Sequence, residues 1–336
     1  MLLLHRRHLR HLGRAGSVLS ERVLVTGALG CLGAWTLKAA FDAGDEPIGF
    51  DLGDRTHRLD LVLTPEERER VVLLHGDITD LEGLGRVLDD HRITRVVHLA
   101  ALQVPFCRAD PVLGARVNVV GTVNVFEAVK DRLDRIPGVA YASSAAVYGP
   151  EDPSPAPESG GGAPATFYGV TKQANEGTAR LYESESGVAS VGIRPYIVYG
   201  PGRDQGMTSG PTLAMEAAAR GEDFEIAYGG SAQYDYAPDV GRAFHRAASA
   251  VEGVVVANFP GVLASMAEVV AAIEAAAPEG PCRISFADSP LPFPAELEAL
   301  ALERTLGPLD GSTLADGVRE TVERFRCAAA GDGRGR

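Results

Sequence analysis

The sequence predicts an α/β protein: a doubly wound parallel sheet with a smaller C-terminal substrate-binding lobe. Three observations carry this expectation. Short β-like apolar runs alternate with helical stretches, the first run ends in a glycine-spaced turn, and later runs end in small or acidic residues. At 336 residues the chain is long enough to bury a full core and to form two pocket-forming halves.

The first run, Val23 to Val25, leads to Gly27, with Gly30 and Gly33 following at three-residue intervals into a helical stretch, Ala34 to Ala43. This reads as strand, tight turn and helix. Such a turn permits positive φ and close approach of a phosphate, which then sits on free N–H groups at the positive end of the helix. A second run, Pro47 to Phe50, ends in Asp51, at the distance expected of a carboxylate that accepts from an adenine-ribose 2′-hydroxyl. That carboxylate repels a 2′-phosphate, so NAD is expected rather than NADP, although Arg55 and Arg58 follow closely and soften the preference.

A third run, Val71 to Leu74, leads to Gly76-Asp77-Ile78, and a fourth, Arg95 to Leu99, leads to Ala100-Ala101. Small residues there leave room for adenine and ribose. The helical stretches Leu81 to Asp90 and Val112 to Arg132 fit right-handed βαβ crossovers, which place ligands at the carboxyl ends of the strands.

Later in the chain, Val188 to Val198 and Val254 to Phe259 are expected to return to the main sheet. The expected organisation is a basic disordered leader over 1–20 and a dinucleotide-binding domain over 21–200, with 234–260 returning to it. A substrate-binding lobe is expected over 201–233 and 261–327, and a disordered tail over 328–336. The lobe helices Met266 to Ala277 and Leu314 to Arg326 are amphipathic or alanine-rich and carry no catalytic set, so their apolar faces read as core.

A series of motifs now accumulates in one order: Thr26-Gly-Ala-Leu-Gly-Cys-Leu-Gly33, Gly76-Asp-Ile78, His98-Leu-Ala-Ala101, Asn118-Val-Val-Gly-Thr122, Ser143-Ser-Ala-Ala-Val-Tyr-Gly149, Tyr168-Gly-Val-Thr-Lys172 and Arg194-Pro-Tyr-Ile-Val-Tyr-Gly-Pro201. Over about residues 22 to 245 the chain resembles the extended short-chain dehydrogenase/reductase superfamily, within its NAD-dependent epimerase/dehydratase group. The resemblance implies a Rossmann-type fold and NAD as cofactor. It places Gly27, Gly30, Cys31, Leu32, Gly33, Asp51, Asp77, Ile78, Leu99, Ala100, Ala101, Tyr168, Lys172 and Tyr196 around that cofactor. Asn118 also lies near it by resemblance, with a purely structural hydrogen bond as the competing reading.

Tyr168 and Lys172 stand four residues apart and so share one helix face. A free phenol, with a pKa of about 10, is a poor base at neutral pH. A neighbouring ammonium and the positive nicotinamide of the oxidised cofactor both favour phenolate. In the resembled mechanism Tyr168 takes the proton of a substrate hydroxyl, Lys172 also holds the nicotinamide ribose, and Ser144 hydrogen-bonds the substrate oxygen. Tyr148 and Tyr199 have no lysine four residues on and read as packing or pocket residues.

Absences narrow the reaction. Sugar-nucleotide 4,6-dehydratases of the resembled group carry an Asp-Glu pair where this chain has Ala145 and Ala146, and alanine transfers no proton. Nucleotide-sugar epimerases use an asparagine and an arginine around the diphosphate; the matching positions here are Ile197 and Ala232. Losing that arginine removes a charge-assisted phosphate contact, for which Arg203, Arg220 or Arg283 would have to compensate.

The expected function is therefore an NAD-dependent oxidoreductase or epimerase that abstracts hydride from a carbinol of a sugar-like or polyhydroxylated small molecule without a nucleotide handle. A UDP-glucose epimerase-like nucleotide-sugar 4-epimerase with tightly bound NAD is the first alternative. A non-catalytic NAD sensor is the second, disfavoured by the intact Ser144, Tyr168 and Lys172.

The net charge of −13 and the lack of a basic, aromatic-interleaved stripe argue against a nucleic-acid partner. No transmembrane span and no membrane partner are expected. Within the basic leader, His5, His8 and His11 are regularly spaced, but terminal disorder is favoured over metal binding, and no metal is expected. Cys31, Cys107, Cys282 and Cys327 lack paired ligand spacing and fit a reducing cytoplasm. The Pro/Gly/Ser-rich stretch between Gly149 and Thr166 fits either a mobile flap over the substrate or a solvated loop. By resemblance a homodimer is expected, through a four-helix interface of Val112 to Arg132 and Tyr168 to Glu185.

Overall fold

The computed structural model describes residues 20–278 and 282–332, so His5, His8 and His11 of the leader lie outside the described residues. The first six strands are β1 (Arg22–Thr26), β2 (Glu46–Asp51), β3 (Val72–His75), β4 (Arg95–His98), β5 (Gly138–Ala142) and β6 (Ala189–Arg194). After them come β7 (Ile197–Tyr199), β8 (Phe224–Ile226), β9 (Ser231–Tyr236), β10 (Val254–Asn258), β11 (Val262–Ser265) and β12 (Ile284–Phe286). Seven of these form one sheet in the order β10-β6-β5-β4-β1-β2-β3, every pair parallel. Parallel pairing puts all seven carboxyl ends on one edge, where Asp51 ends β2 and Gly27, Gly76, Leu99 and Ser143 follow β1, β3, β4 and β5.

The helices are α1 (Cys31–Asp42), α2 (His57–Val62), α3 (Pro65–Arg70), α4 (Leu81–Asp90), α5 (Val104–Ala109), α6 (Pro111–Ala115), α7 (Gly121–Lys130) and α8 (Phe167–Ser186). Then follow α9 (Gly210–Arg220), α10 (Ala237–Ala247), α11 (Met266–Ala276), α12 (Ala301–Leu306) and α13 (Leu314–Asp332). A π-helical turn, Arg116–Val120, joins α6 to α7. Helices cover both sheet faces. Ala34, Trp35 and Leu37 of α1 pack with Val240, Ala243 and Phe244 of α10 on one side. Leu84 and Leu88 of α4, Phe126 and Val129 of α7 and Ala179 of α8 fill the other. Local signals set the helix ends: Asp80 accepts from Gly83 N at 2.9 Å to start α4, Thr166 accepts from Gly169 N at 3.0 Å to start α8, and Gly187 closes α8 in the left-handed conformation.

The second half departs from expectation in three places. Residues 197–198 do not continue the main sheet. Pro195 has no N–H to extend the ladder, Tyr196 N donates to Asp235 Oδ2 at 2.6 Å, and β7 pairs with β9 in a separate three-stranded sheet, β11-β9-β7. Of residues 234–260, α10 packs on α1 and β10 joins the main sheet, whereas the end of β9 stays in the small sheet. Residues 328–332, expected to be disordered, continue α13 as Ala-Ala-Ala-Gly-Asp, the alanines being strong helix formers. The lobe has its own apolar cluster, including Ile197, Tyr199, Met215, Ile226, Tyr234, Val269, Ile273, Val318 and Val322.

The stretch Pro111–Lys130 is long and apolar enough to cross a membrane, yet half of it is buried inside the fold. The segment between Gly149 and Thr166 is pinned along its middle. Ala156 N donates to Glu296 O at 2.8 Å and its own carbonyl accepts from Glu298 N at 2.9 Å. Glu158 accepts from Leu300 N at 3.1 Å and Ala301 N at 2.9 Å. Tyr148 Oη donates to Pro157 O at 2.9 Å.

Candidate active site

A cleft of about 460 Å³ runs along the carboxyl edge of the sheet. At its floor Gly27 adopts φ +70°, and a Cβ there would fall 2.7 Å from Ala100 N; a Cβ on Gly33 would fall 2.1 Å from Gly27 O. Both positions therefore require glycine, and the turn lies flat against the end of β4. Helix α1 opens with no side-chain cap, which leaves its first N–H groups, on Cys31, Leu32 and Gly33, facing the cleft.

Asp51 accepts from Leu29 N at 2.9 Å through Oδ2 and from Gly53 N at 2.9 Å through Oδ1. Those two bonds fix the carboxylate while leaving acceptor capacity for a ribose diol. Asp77, Ile78, Leu99, Ala100 and Ala101 complete the wall. Glycine cradle, uncapped helix start and oriented carboxylate together fit the diphosphate and adenine ribose of NAD. Arg58, expected to weaken the preference for NAD, is instead engaged by Asp204 and by Leu29 O at 3.0 Å. Cys31 contributes its backbone, since burial pushes its thiol up to about 12 and keeps it protonated.

Asn118 does not line the cleft. Its Oδ1 accepts from Leu102 N at 2.7 Å, and its Nδ2 donates to Leu102 O at 3.0 Å and Thr171 Oγ1 at 3.1 Å. With its amide saturated behind the wall, the expected direct cofactor contact gives way to the structural reading. Tyr148 and Tyr199 are also buried away from the cleft.

At the far end Ser144, Tyr168 and Lys172 converge. Ser144 follows β5 and accepts from Ala146 N at 3.1 Å, which holds its hydroxyl at the start of a short helical turn. Tyr168 and Lys172 lie on the first turns of α8, and Lys172 Nζ donates to Ala142 O at 2.7 Å. Burial raises the Tyr168 phenol above its usual value, while hydrogen bonding with Ser144 and the field of Arg203 pull it back. Burial also pushes Lys172 down to about 8, with Glu176 opposing that fall. Ala145 and Ala146 occupy the wall beside Ser144 and bring no acid or base.

Sequence reasoning missed several lining groups. Tyr196 was expected; Phe293, against whose ring it packs edge-on at 6.2 Å, was not. Gln103 and Met207 also line this end, and nothing local marks them. Arg203, expected only as one of three candidate replacements for a lost arginine, lines the cleft with Nε buried and unpartnered. Of the other two, Arg220 pairs with Glu216, and neither Arg220 nor Arg283 lines the cleft. Among the described residues no three His, Cys, Asp or Glu side chains converge as a metal site.

The model of the NAD dependent epimerase/dehydratase family matches residues 23–258. The chain belongs to that family. It is an NAD-dependent enzyme of the extended short-chain dehydrogenase type. A UDP-glucose 4-epimerase of Mycolicibacterium smegmatis is 32% identical over 320 residues, covering 91% of this chain and 98% of that protein. UDP-glucuronate 4-epimerase 5 of Arabidopsis thaliana is 35% identical over 184 residues, covering 53% of this chain but only 42% of that protein. The crystal structure of a Thermus thermophilus UDP-glucose 4-epimerase in complex with NAD aligns with a TM-score of 0.74 and 28% identity, covering 91% of this chain and 99% of that one.

Proposed function

We propose that this family member is an epimerase that retains NAD and inverts a carbinol of a sugar or sugar acid. The observation that carries the reading is the meeting of Ser144, Tyr168 and Lys172 at the end of a dinucleotide cleft, with alanines at 145 and 146 in place of an added acid and base. Tyr168 takes the proton of the substrate hydroxyl. Ser144 donates a hydrogen bond to the same oxygen, and the Lys172 ammonium favours the phenolate. When bound, NAD would supply the acceptor for the hydride on the carbon bearing that hydroxyl and, in an epimerase, the donor for its return to the opposite face. Tyr168 then gives its proton back to the oxygen. The Lys172 side chain would hold the nicotinamide ribose, and the α1 N-terminus the diphosphate.

Arg203 supports a substrate with an anionic group, because it lines the same cleft as Tyr168 and its Nε is buried without a partner. Ile197 and Ala232 are both buried in the apolar cluster of the lobe, away from the cleft, which supports a substrate without a nucleotide diphosphate clamp at those positions. A nucleotide-sugar 4-epimerase is the second reading. It is favoured by the names of the relatives, and in it Arg203 serves the diphosphate.

The test combines NAD content of the purified protein with turnover of sugar acids, UDP-glucose and UDP-glucuronate. Retained NAD with product epimer and no accumulating NADH supports the epimerase; stoichiometric NADH rejects it. Arg203→Ala is expected to raise KM for an acidic substrate by about tenfold or more, the scale of one charge-assisted contact. Tight UDP binding by calorimetry, abolished in Arg203→Ala, would replace the first reading with the second.

A homodimer is part of the same proposal. Phe106, Val112, Leu113, Val120, Phe167, Val170 and Leu181 expose apolar side chains on α5 to α8 and the turn between them. Sedimentation is expected to give twice the monomer mass, and Val112→Glu to give the monomer; a wild-type monomer at micromolar concentration rejects the dimer.

A further inference from the structure

The loop after β7 is fastened to the floor of the cofactor cleft by contacts that the chemistry above does not use. Arg58, in α2, donates from Nε to Asp204 Oδ1 and Oδ2 at 3.0 and 3.2 Å and from Nη2 to Oδ1 at 2.6 Å. Its remaining nitrogen, Nη1, donates to Leu29 O in the glycine turn at 3.0 Å. His57 Nε2 stands 2.7 Å from Asp204 Oδ2. Three residues earlier in the same loop, Pro201 O accepts from Trp35 Nε1 of α1 at 2.9 Å.

Leu29, Gly30, His57, Arg58 and Arg203 all line the cleft, whereas Asp204 does not. The bridge therefore joins the lobe loop to the seat of the diphosphate, with Arg58 on the cleft wall and Asp204 behind it. Its Arg58 end is 12% exposed and its Asp204 end 35%, so solvent screens the pair only in part. Burial works against an ionised Asp204, but the bonds from Arg58 and His57 prevail and hold its carboxyl below the ordinary range.

We propose that the Arg58–Asp204 bridge, flanked by His57, is a clasp that holds the lobe loop over bound NAD and slows its release between turnovers. The proposal rests on the retained-cofactor reading, which needs the same NAD to be present when hydride returns. A dinucleotide seated on the N–H groups of α1 leaves by parting the glycine turn from the lobe loop, and the clasp spans that seam. Breaking it raises the rate of leaving more than it changes the seat itself.

The experiment starts from holoenzyme diluted into buffer containing alcohol dehydrogenase and ethanol, so that each NAD released is trapped as NADH and timed. Asp204→Ala and Asp204→Asn are expected to release NAD at least tenfold faster than wild type, with single-turnover reaction of the NAD-saturated protein changed less than twofold. The double variant Arg58→Asp/Asp204→Arg, which restores opposite charges across the seam, is expected to slow release again. In wild type, release is expected to quicken as salt rises, and this sensitivity is expected to disappear in Asp204→Ala. Wild-type release rates in folded Asp204 variants overturn the clasp, as does salt-independent release from wild type. Failure of the underlying reading looks different: wild type would discharge NADH in every turnover, whatever residue stands at 204.

Discussion

Replacing Tyr168 by phenylalanine is expected to reduce turnover by roughly 10³-fold, within the range of about 10²–10⁴ that a positioned acid–base group contributes. NAD retention and the folded structure should survive. The substitution removes only a hydroxyl whose side-chain partner is Ser144, and the ring packing remains. Steady-state rates with cofactor content measured on the same sample give the check; a variant within fivefold of wild type would assign the proton transfer elsewhere. The pH profile adds a second signature. A lysine keeps its charge below its pKa, and burial brings Lys172 down to about 8. The supporting ammonium is therefore present at neutral pH and is lost as pH rises through 8, so kcat/KM is expected to fall on the alkaline side. Lys172→Arg, charged throughout that range, should remove the alkaline fall even if its maximum rate is lower.

Glu176→Ala is the substitution expected to cost most stability, about 3–5 kcal/mol, because it leaves a buried guanidinium without its counter-charge. Arg194 is 2% exposed and donates to both Glu176 oxygens, Nε to Oε1 at 2.7 Å and Nη2 to Oε2 at 2.8 Å. The same carboxylate accepts from Ser143 Oγ at 2.5 Å. One side chain thus joins α8, the end of β5 and the end of β6, which are the elements that carry Lys172 and Ser144. Arg194 reaches onward to Glu158 O at 3.1 Å, in the segment between Gly149 and Thr166. Urea denaturation should show the loss, and the double variant Glu176→Met/Arg194→Met should be less destabilised than Glu176→Ala alone, since removing both charges leaves nothing unpaired. Additive losses would show that the two residues act independently.

Much of the architecture is legible in the sequence because it is locally specified. Strand, turn and helix repeat with their own punctuation: Asp80 starts α4 where an aspartate precedes an amphipathic run, and Gly187 ends α8. The glycine turn is legible for the same reason, since its steric demands lie within a short segment. What is illegible depends on partners far away in the chain. Asn118 is visible as a polar residue in an apolar helix, but only the fold shows that Leu102 saturates its amide. Strand β7 looks like more of β6 until Asp235, from β9, takes the N–H of Tyr196 and the chain changes sheets. Arg58 reads as a free cation near Asp51, and its carboxylate partner stands 146 residues later. Charge pairs of that kind leave no periodic trace.

The bond from Trp35 to the Pro201 carbonyl has an optical consequence. The chain contains 1 tryptophan, and its indole N–H is held at 2.9 Å by the loop that also bears Arg203 and Asp204. The guanidinium of Arg324, from α13, lies 5.2 Å from the ring centroid. Tryptophan emission, excited selectively at the red edge of the indole band, therefore comes from a single indole wedged between α1, the loop after β7 and the last helix. Any opening of that junction moves a carbonyl dipole and a cation relative to the chromophore, so intensity and wavelength follow the event directly. The protein carries its own unlabelled reporter at the junction, readable on a stopped-flow instrument from the first mixing.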